Sequence, residues 1–196
     1  MLMIGRKKFL TVDEDKNMKL EELVKGIRSD KPAVRTAAWQ QAGTVGASAV
    51  KPLSRLCTEK NLEVARAAKR GLERIVRTVG APGVQPAKSA VIRELLALLA
   101  DNEPIALRRD ILWLLSEIGG GESVEPVTML LKHHVLREDA RMVLERIPGE
   151  KSLVSLRNAL GSVPEDFRLN IAQSLRARGE AVDPEKYPCQ KLVPKK

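Results

Sequence analysis

Leu107-Arg-Arg-Asp-Ile-Leu-Trp-Leu-Leu-Ser-Glu-Ile-Gly119 is the stretch that decides the fold. Leu107, Ile111, Leu115 and Ile118 follow one another at steps of four, four and three residues. On a helix turning about 100° per residue, such positions lie within about 80° of one another. They form a narrow apolar stripe, and Gly119 follows its last member, where a helix can end. The pattern recurs in Val34, Ala38, Ala42, Val45; in Val64, Ala68, Leu72, Ile75; in Leu136, Ala140, Leu144, Ile147; and in Phe167, Ile171, Leu175. Arg178 breaks the last column. The next position is a stop in four of the five blocks, Gly46, Gly119, Pro148 and Gly179, with Val76 the exception. Each stop is expected to be a left-handed glycine cap or a proline that cannot continue the helix.

A second, shorter apolar stripe precedes each block. It reads Leu20, Leu23, Val24, Ile27 in the first block and Val50, Leu53, Leu56 in the second. In the third it is Val91, Ile92, Leu95, Leu98, Leu99; in the fourth Val124, Val127, Leu130, Leu131; in the fifth Leu153, Leu156, Leu160. Breakers lie between the stripes at Asp30 to Pro32, Lys60 to Leu62, Asp101 to Pro104 and Val163 to Glu165. The expected architecture is therefore all-α: an α-α superhelix of five helix pairs, each pair stacking on the next because none can bury its apolar faces alone. Small Ala38, Ala68 and Ala140 allow close approach, while the larger Ile111 and Ile171 mark places where the stack bends or opens.

The expected organisation is an N-terminal extension at 1–17, a repeat domain at 18–179 and a tail at 180–196. The units fall at about 18–46, 47–78, 87–120, 122–148 and 150–179. The step from Val64 to Leu107 is longer than the others, and the excess is assigned to a loop at 78–88, rich in Gly and Pro. The tail is either mobile or a cap packed by Tyr187 and Leu192.

Phrases in these blocks carry a resemblance. Gly46-Ala-Ser-Ala-Val-Lys-Pro-Leu53 resembles the inter-repeat junction of the HEAT-repeat family in its short bacterial form, and Asp30-Lys-Pro-Ala-Val-Arg35 resembles its inter-helix turn. The basic residue that the family carries after the first apolar position of its second helix is matched by Arg35, Arg108, Arg137 and Arg168; the second unit has Ala65 there, with Arg66 one place late. The family's turn aspartate is matched only by Asp30 and Asp101, which gives little basis for a regular Asp–Arg ladder. The resemblance implies that the second helices line the concave face of a HEAT-like solenoid.

Composition agrees with long helices: 43% apolar and 30% charged residues, but only 3% aromatic. The net charge of +9, from 34 basic and 25 acidic residues, permits attraction to acidic partners without specifying one. Cys57 and Cys189 are far apart and form no CxxC, which points to neither a disulfide framework nor a metal site and suits a cytoplasmic setting. The sequence has no apolar stretch of the ~18 residues that a membrane helix needs.

Candidate site residues lie on the second helices. Arg66, Lys69, Arg70, Arg74 and Arg77 face a single acid, Glu73; this stripe is either a contact for phosphates or an acidic partner, or a solvated helix face. Trp113 shares a column with Arg70 and Gln40, away from the core stripe, with Arg109 on the same helix. An exposed Trp beside an Arg is a typical interface anchor; the alternative is a Trp covered by the 78–88 loop or a neighbouring helix. Trp39 lies nearer the seam between repeats and is read as packing. His133 and His134 are adjacent, so they cannot converge on a metal as a pair four apart can; they read as helix C-terminal residues favoured by the dipole. Cys57 reads as a small core residue. No Ser–His–Asp or Cys–His arrangement, phosphate-binding loop or carboxylate pair assembles, so no cofactor, metal or small molecule is indicated.

The leading expectation is a non-enzymatic scaffold or adaptor that binds a protein partner through the concave face, by way of Arg66, Arg70, Arg74, Arg77, Arg109 and Trp113. The alternative is nucleic-acid binding through a basic groove at Arg66, Arg70 and Arg77. More remote are enzymes built on similar repeats, the HEAT-like glycosylases and bilin lyases, whose motifs the chain does not match.

Overall fold

A computed structural model describes residues 18–189, and ten α-helices in five hairpins make up the fold among these residues. The pairs are α1 (Leu20–Ile27) with α2 (Pro32–Val45) and α3 (Val50–Cys57) with α4 (Leu62–Val79). They continue as α5 (Gln85–Ala97) with α6 (Ile105–Ile118), α7 (Gly121–Met129) with α8 (Arg137–Arg146), and α9 (Glu150–Ser162) with α10 (Glu165–Ala177). No strand occurs among the described residues. The extension at 1–17 and Leu192 lie outside them.

Local chemistry sets the helix ends. Pro32 stands in the first turn of α2, where a missing N–H costs nothing. The Asn61 side chain accepts from the N–H groups of Glu63 and Val64, at 3.1 and 3.3 Å, and caps α4. At the end of α10, Gly179 adopts φ +84°, and the N–H of Glu180 returns to the Leu175 carbonyl at 2.9 Å. That is the left-handed cap expected of the stop column. Gly119 differs. Its backbone is extended, at φ −56° and ψ 145°, and a Cβ there would come within 2.5 Å of the Leu115 carbonyl oxygen. Glycine is needed here for close approach, not for a left-handed turn.

The repeated columns form one continuous core that runs from Leu23 to Leu175. Ala38, Ala68, Ile111, Ala140 and Ile171 are buried, as are Ala42, Leu72, Leu115, Leu144 and Leu175. Val34 is the exception among the anchors, 43% exposed. It lies beside an open cleft of about 1020 Å³ that it lines with Leu20 and Val24 of α1 and Pro52 of α3.

Two sequence expectations need correction. The segment 78–88 is not a loop throughout: α4 continues to Val79 and α5 begins at Gln85, leaving only Gly80 to Val84 between them. The reason is visible at Val76. With no glycine or proline in the stop column, the helix runs on for another turn and buries Val76 and Val79. Arg178 does not interrupt the packing either. Its guanidinium reaches back to the preceding unit and donates to the carbonyls of Leu144, Glu145 and Ile147 at 3.3, 3.2 and 2.8 Å, to Gly149 at 3.1 Å and to Ser152 Oγ at 3.1 Å. A cation thus satisfies the orphan carbonyls at the end of α8, on the side the helix dipole favours. Beyond α10, Val182 packs on the core and Arg176 donates to the Tyr187 carbonyl, so the described part of the tail folds back as a cap.

Leu115→Ala should cost ~2–5 kcal/mol in denaturant unfolding, as a fully buried central leucine. Arg178→Leu restores the apolar column yet should still destabilise, by ~1–3 kcal/mol, because it strands buried carbonyls. Burial, with the nearby Asp110 charge second, pushes the Cys57 thiol up to about 12. The exposed Cys189 should therefore be alkylated quickly near pH 8, and Cys57 only on unfolding. Because its folded value is raised, Cys57 contributes stability below the unfolded thiol range, and that contribution fades as pH climbs towards 12. Equal alkylation rates in the native protein would contradict this.

Candidate functional site

The second helices, α2, α4, α6, α8 and α10, lie side by side from unit to unit. The most extensive contact between them is that of α2 with α4. A Cβ on Gly43 would come within 2.2 Å of Thr78 Oγ1, so glycine is what lets the two helices meet. The next step is looser. Helices α4 and α6 touch over a shorter stretch.

Ion pairs clasp this layer across successive units. Arg35 meets Glu63 at 3.3 Å, Lys69 meets Asp110 at 2.6 Å, Arg109 meets Asp139 at 3.0 Å and Arg137 meets Asp166 at 2.6 Å. Arg146 on α8 returns to Glu117 on α6 at 2.6 Å. A ladder of mixed ion pairs between neighbours therefore exists, but its acids stand on the second helices; it is not the regular Asp–Arg ladder on turn aspartates for which the sequence offered little basis. The Arg137 hydrogen bonds hold the Asp166 carboxyl below its usual range, and the Arg141 hydrogen bonds do the same for Glu138. Both pairings persist in mild acid and weaken only as pH falls through the lowered values. Arg108 is buried under the α5–α6 turn, with Nη2 3.0 Å from Asp101, but neither that nitrogen nor Nε is aligned for a hydrogen bond.

The ladder spares three cations. Arg70, Arg74 and Arg77 have neither an ion pair nor a side-chain hydrogen bond among the described residues. They lie one turn apart on α4, spanning about 10 Å. Arg70 stacks over the Trp39 ring, 5.9 Å from its centroid. The three line a cleft of about 570 Å³ with Trp39, Gln40 and Gln41. On the other side of α4, two further clefts share Trp113: one of about 430 Å³ with Arg77 and Glu117, the other of about 550 Å³ with Arg109, Asp110 and Asp139. Glu73 borders all three, so the clefts adjoin across α4 and together make up a candidate groove along α2, α4 and α6.

The structure separates the residues singled out from sequence. Arg70, Arg74, Arg77, Arg109 and Trp113 line the groove; Arg66 does not, and pairs at 3.0 Å with Glu63 on its own helix. Arg109 is in the groove but tied to Asp139. Trp113 is 41% exposed, although Leu112 and Leu114 beside it are buried, and neither the short loop nor a neighbouring helix covers it. The direct pairing of Arg70 with Trp113 does not occur. The partner of Arg70 is Trp39, which is half-buried and serves both packing and the groove. The sequence signal for Gln40 was its place in the column of Arg70 one unit earlier; Trp39 stands one position before it, nearer the seam between repeats. His133 stands at the end of the short 3-10 helix Leu130–Lys132 that follows α7, at the helix C-terminus expected of it, and it has a second role. Its Nδ1 accepts from the N–H groups of Val135 and Leu136, at 3.2 and 3.3 Å, so it caps the start of the next turn. Among the described residues no cluster of metal-ligating side chains forms, and no helix is long and apolar enough to cross a membrane.

No family model and no curated protein matches the chain. Similar solved structures include an engineered protein at 21% identity, covering 81% of this chain and 78% of that one with a TM-score of 0.41. Another is a computationally designed armadillo repeat protein for modular peptide recognition, at 17% identity, 79% and 80% coverage and a TM-score of 0.44. A third is a designed armadillo repeat protein at 11% identity, 81% and 99% coverage and a TM-score of 0.30. The helical-repeat solenoid rests on the helix order and packing described above.

With Trp39→Phe as background, acrylamide should quench Trp113 fluorescence in the native protein well beyond what a core tryptophan allows. With Trp113→Phe instead, quenching of half-buried Trp39 should be weaker. The reverse order would mean that Trp113 is covered.

Proposed function

We propose that the protein is a non-enzymatic scaffold of the HEAT type that binds a protein partner in the groove across α2, α4 and α6. Residues 18–179 supply the working body in this reading, and 180–196 follow it as a tail. The observation that carries the proposal is Trp113. It stands exposed in the otherwise buried run Ile111 to Leu115, with a cleft on either side. A large aromatic left uncovered and flanked by concave surface is what an interface anchor requires, since it offers apolar area at little cost in conformational entropy. Arg109 and Arg77 beside it add directional donors. A stacked solenoid presents such a groove as a rigid surface, with no specialised chemistry needed.

Affinity capture with the full chain, with and without nuclease, tests the reading. A nuclease-resistant protein partner should bind the wild type, and Trp113→Ala should weaken it by at least ~2 kcal/mol, with helicity retained. If Trp113→Ala instead unfolds the protein and leaves binding per folded molecule unchanged, Trp113 is a packing residue and the groove is not the interface. Capture that disappears with nuclease would replace the protein partner by nucleic acid.

A further inference from the structure

We infer that the segment held in this groove is a short acidic peptide whose carboxylates meet Arg70, Arg74 and Arg77; this rests on reading the groove as a protein-binding surface. The argument is the selectivity of the ion pairing. On the second helices, Arg35, Arg66, Lys69, Arg108, Arg109, Arg137, Arg141 and Arg146 all stand against an acid of this chain. Arg168 and Arg176 donate to backbone carbonyls. Among the described residues, the only cations of this layer left without either kind of partner are the three that line the groove. A guanidinium presents a planar fork of donors that fits a carboxylate in two-point contact, and here those forks are unused. Their span of about 10 Å along α4 is three residues of extended chain at roughly 3.3 Å each. Acidic residues at alternate positions, roughly 6.6 Å apart on one side of an extended peptide, match the step of about 6 Å from Arg70 to Arg74. Trp39 and Trp113 flank the arginines on either side of α4 and offer flat apolar surface to the residues between.

The same clefts argue against a nucleic-acid backbone. Glu73, Asp110, Glu117 and Asp139 border them, interrupting the positive surface within one helix width. A duplex carries a charge about every 1.7 Å of its axis and cannot skip such positions. A peptide can, since it places acids only opposite the arginines.

The test is fluorescence anisotropy at low salt with the full chain and labelled probes: a short peptide alternating glutamate and serine around one leucine, the same peptide with lysine for glutamate, and short single- and double-stranded DNA. The acidic peptide should bind and the lysine peptide should not. Arg70→Glu, Arg74→Glu and Arg77→Glu together should weaken binding at least tenfold, with the thermal melt unchanged because all three side chains are exposed. The triple Arg→Gln variant removes the charges without adding repulsion and should weaken it in the same direction. Arg66→Glu, outside the groove, should leave binding near wild type. The inference is overturned if the acidic peptide does not bind, if it binds both triple variants as well as wild type, or if DNA binds more tightly through the same three arginines. Should the acidic peptide fail while Trp113-dependent capture of a protein persists, the groove remains the interface and only its acidic preference is lost. If that capture fails as well, the groove reading itself goes.

Discussion

Burial of each helix hairpin against the next is the constraint on which everything else depends. A pair such as α3 and α4 has apolar residues on too many sides to be stable alone; its core closes only when α2 lies on one side and α5 and α6 on the other. Small residues let α2 and α4 press together, and Gly43 against Thr78 marks the limit. The step from α4 to α6 is looser, and the clefts lie along α4 at that step.

Electrostatics follows the same geometry. Once the second helices lie side by side, charged residues near their first turns come within reach of the next unit, giving Lys69 with Asp110, Arg109 with Asp139 and Arg137 with Asp166. Each is exposed to solvent and adds little stability singly. Their effect is on what remains. By tying up the other cations of the second helices, these pairs leave, among the described residues, a small set of guanidiniums without a hydrogen-bonded acid at one place.

The apolar columns made the helices and their pairing legible in sequence, because a period near 3.6 with regular stops admits few other folds. Partner choice among side chains was not legible. Arg70 and Trp113 share a column, but a column fixes only the direction in which a residue leaves its own helix. Which neighbour it meets depends on the rotation and spacing between helices, and the tight α2–α4 contact brings Trp39 to Arg70 while the looser step leaves Trp113 apart. Arg178 breaks its column for a related reason. Counted within its own repeat it is an error; its partners are the carbonyls of the preceding repeat. Arg66 looked equivalent to Arg70 and Arg77 on charge alone, and Glu63 three residues earlier decides otherwise.

The departures from the repeat are connected. Val76 stands where the other units have glycine or proline, so α4 continues for a turn that α2, α6, α8 and α10 lack. That turn carries Arg77; the equivalent positions in the other units, Ala47, Gly120, Gly149 and Glu180, all lie beyond the ends of their α-helices. It also carries Val76 and leads to Gly80, which form one wall of the cleft whose other wall is Trp113, Glu117 and Ile118. A single missing stop signal therefore lengthens one helix, places the last of the three free arginines and shapes the space beside the exposed tryptophan. In a regular array, where most positions serve stacking alone, the unit that breaks the pattern is the one that carries the candidate site.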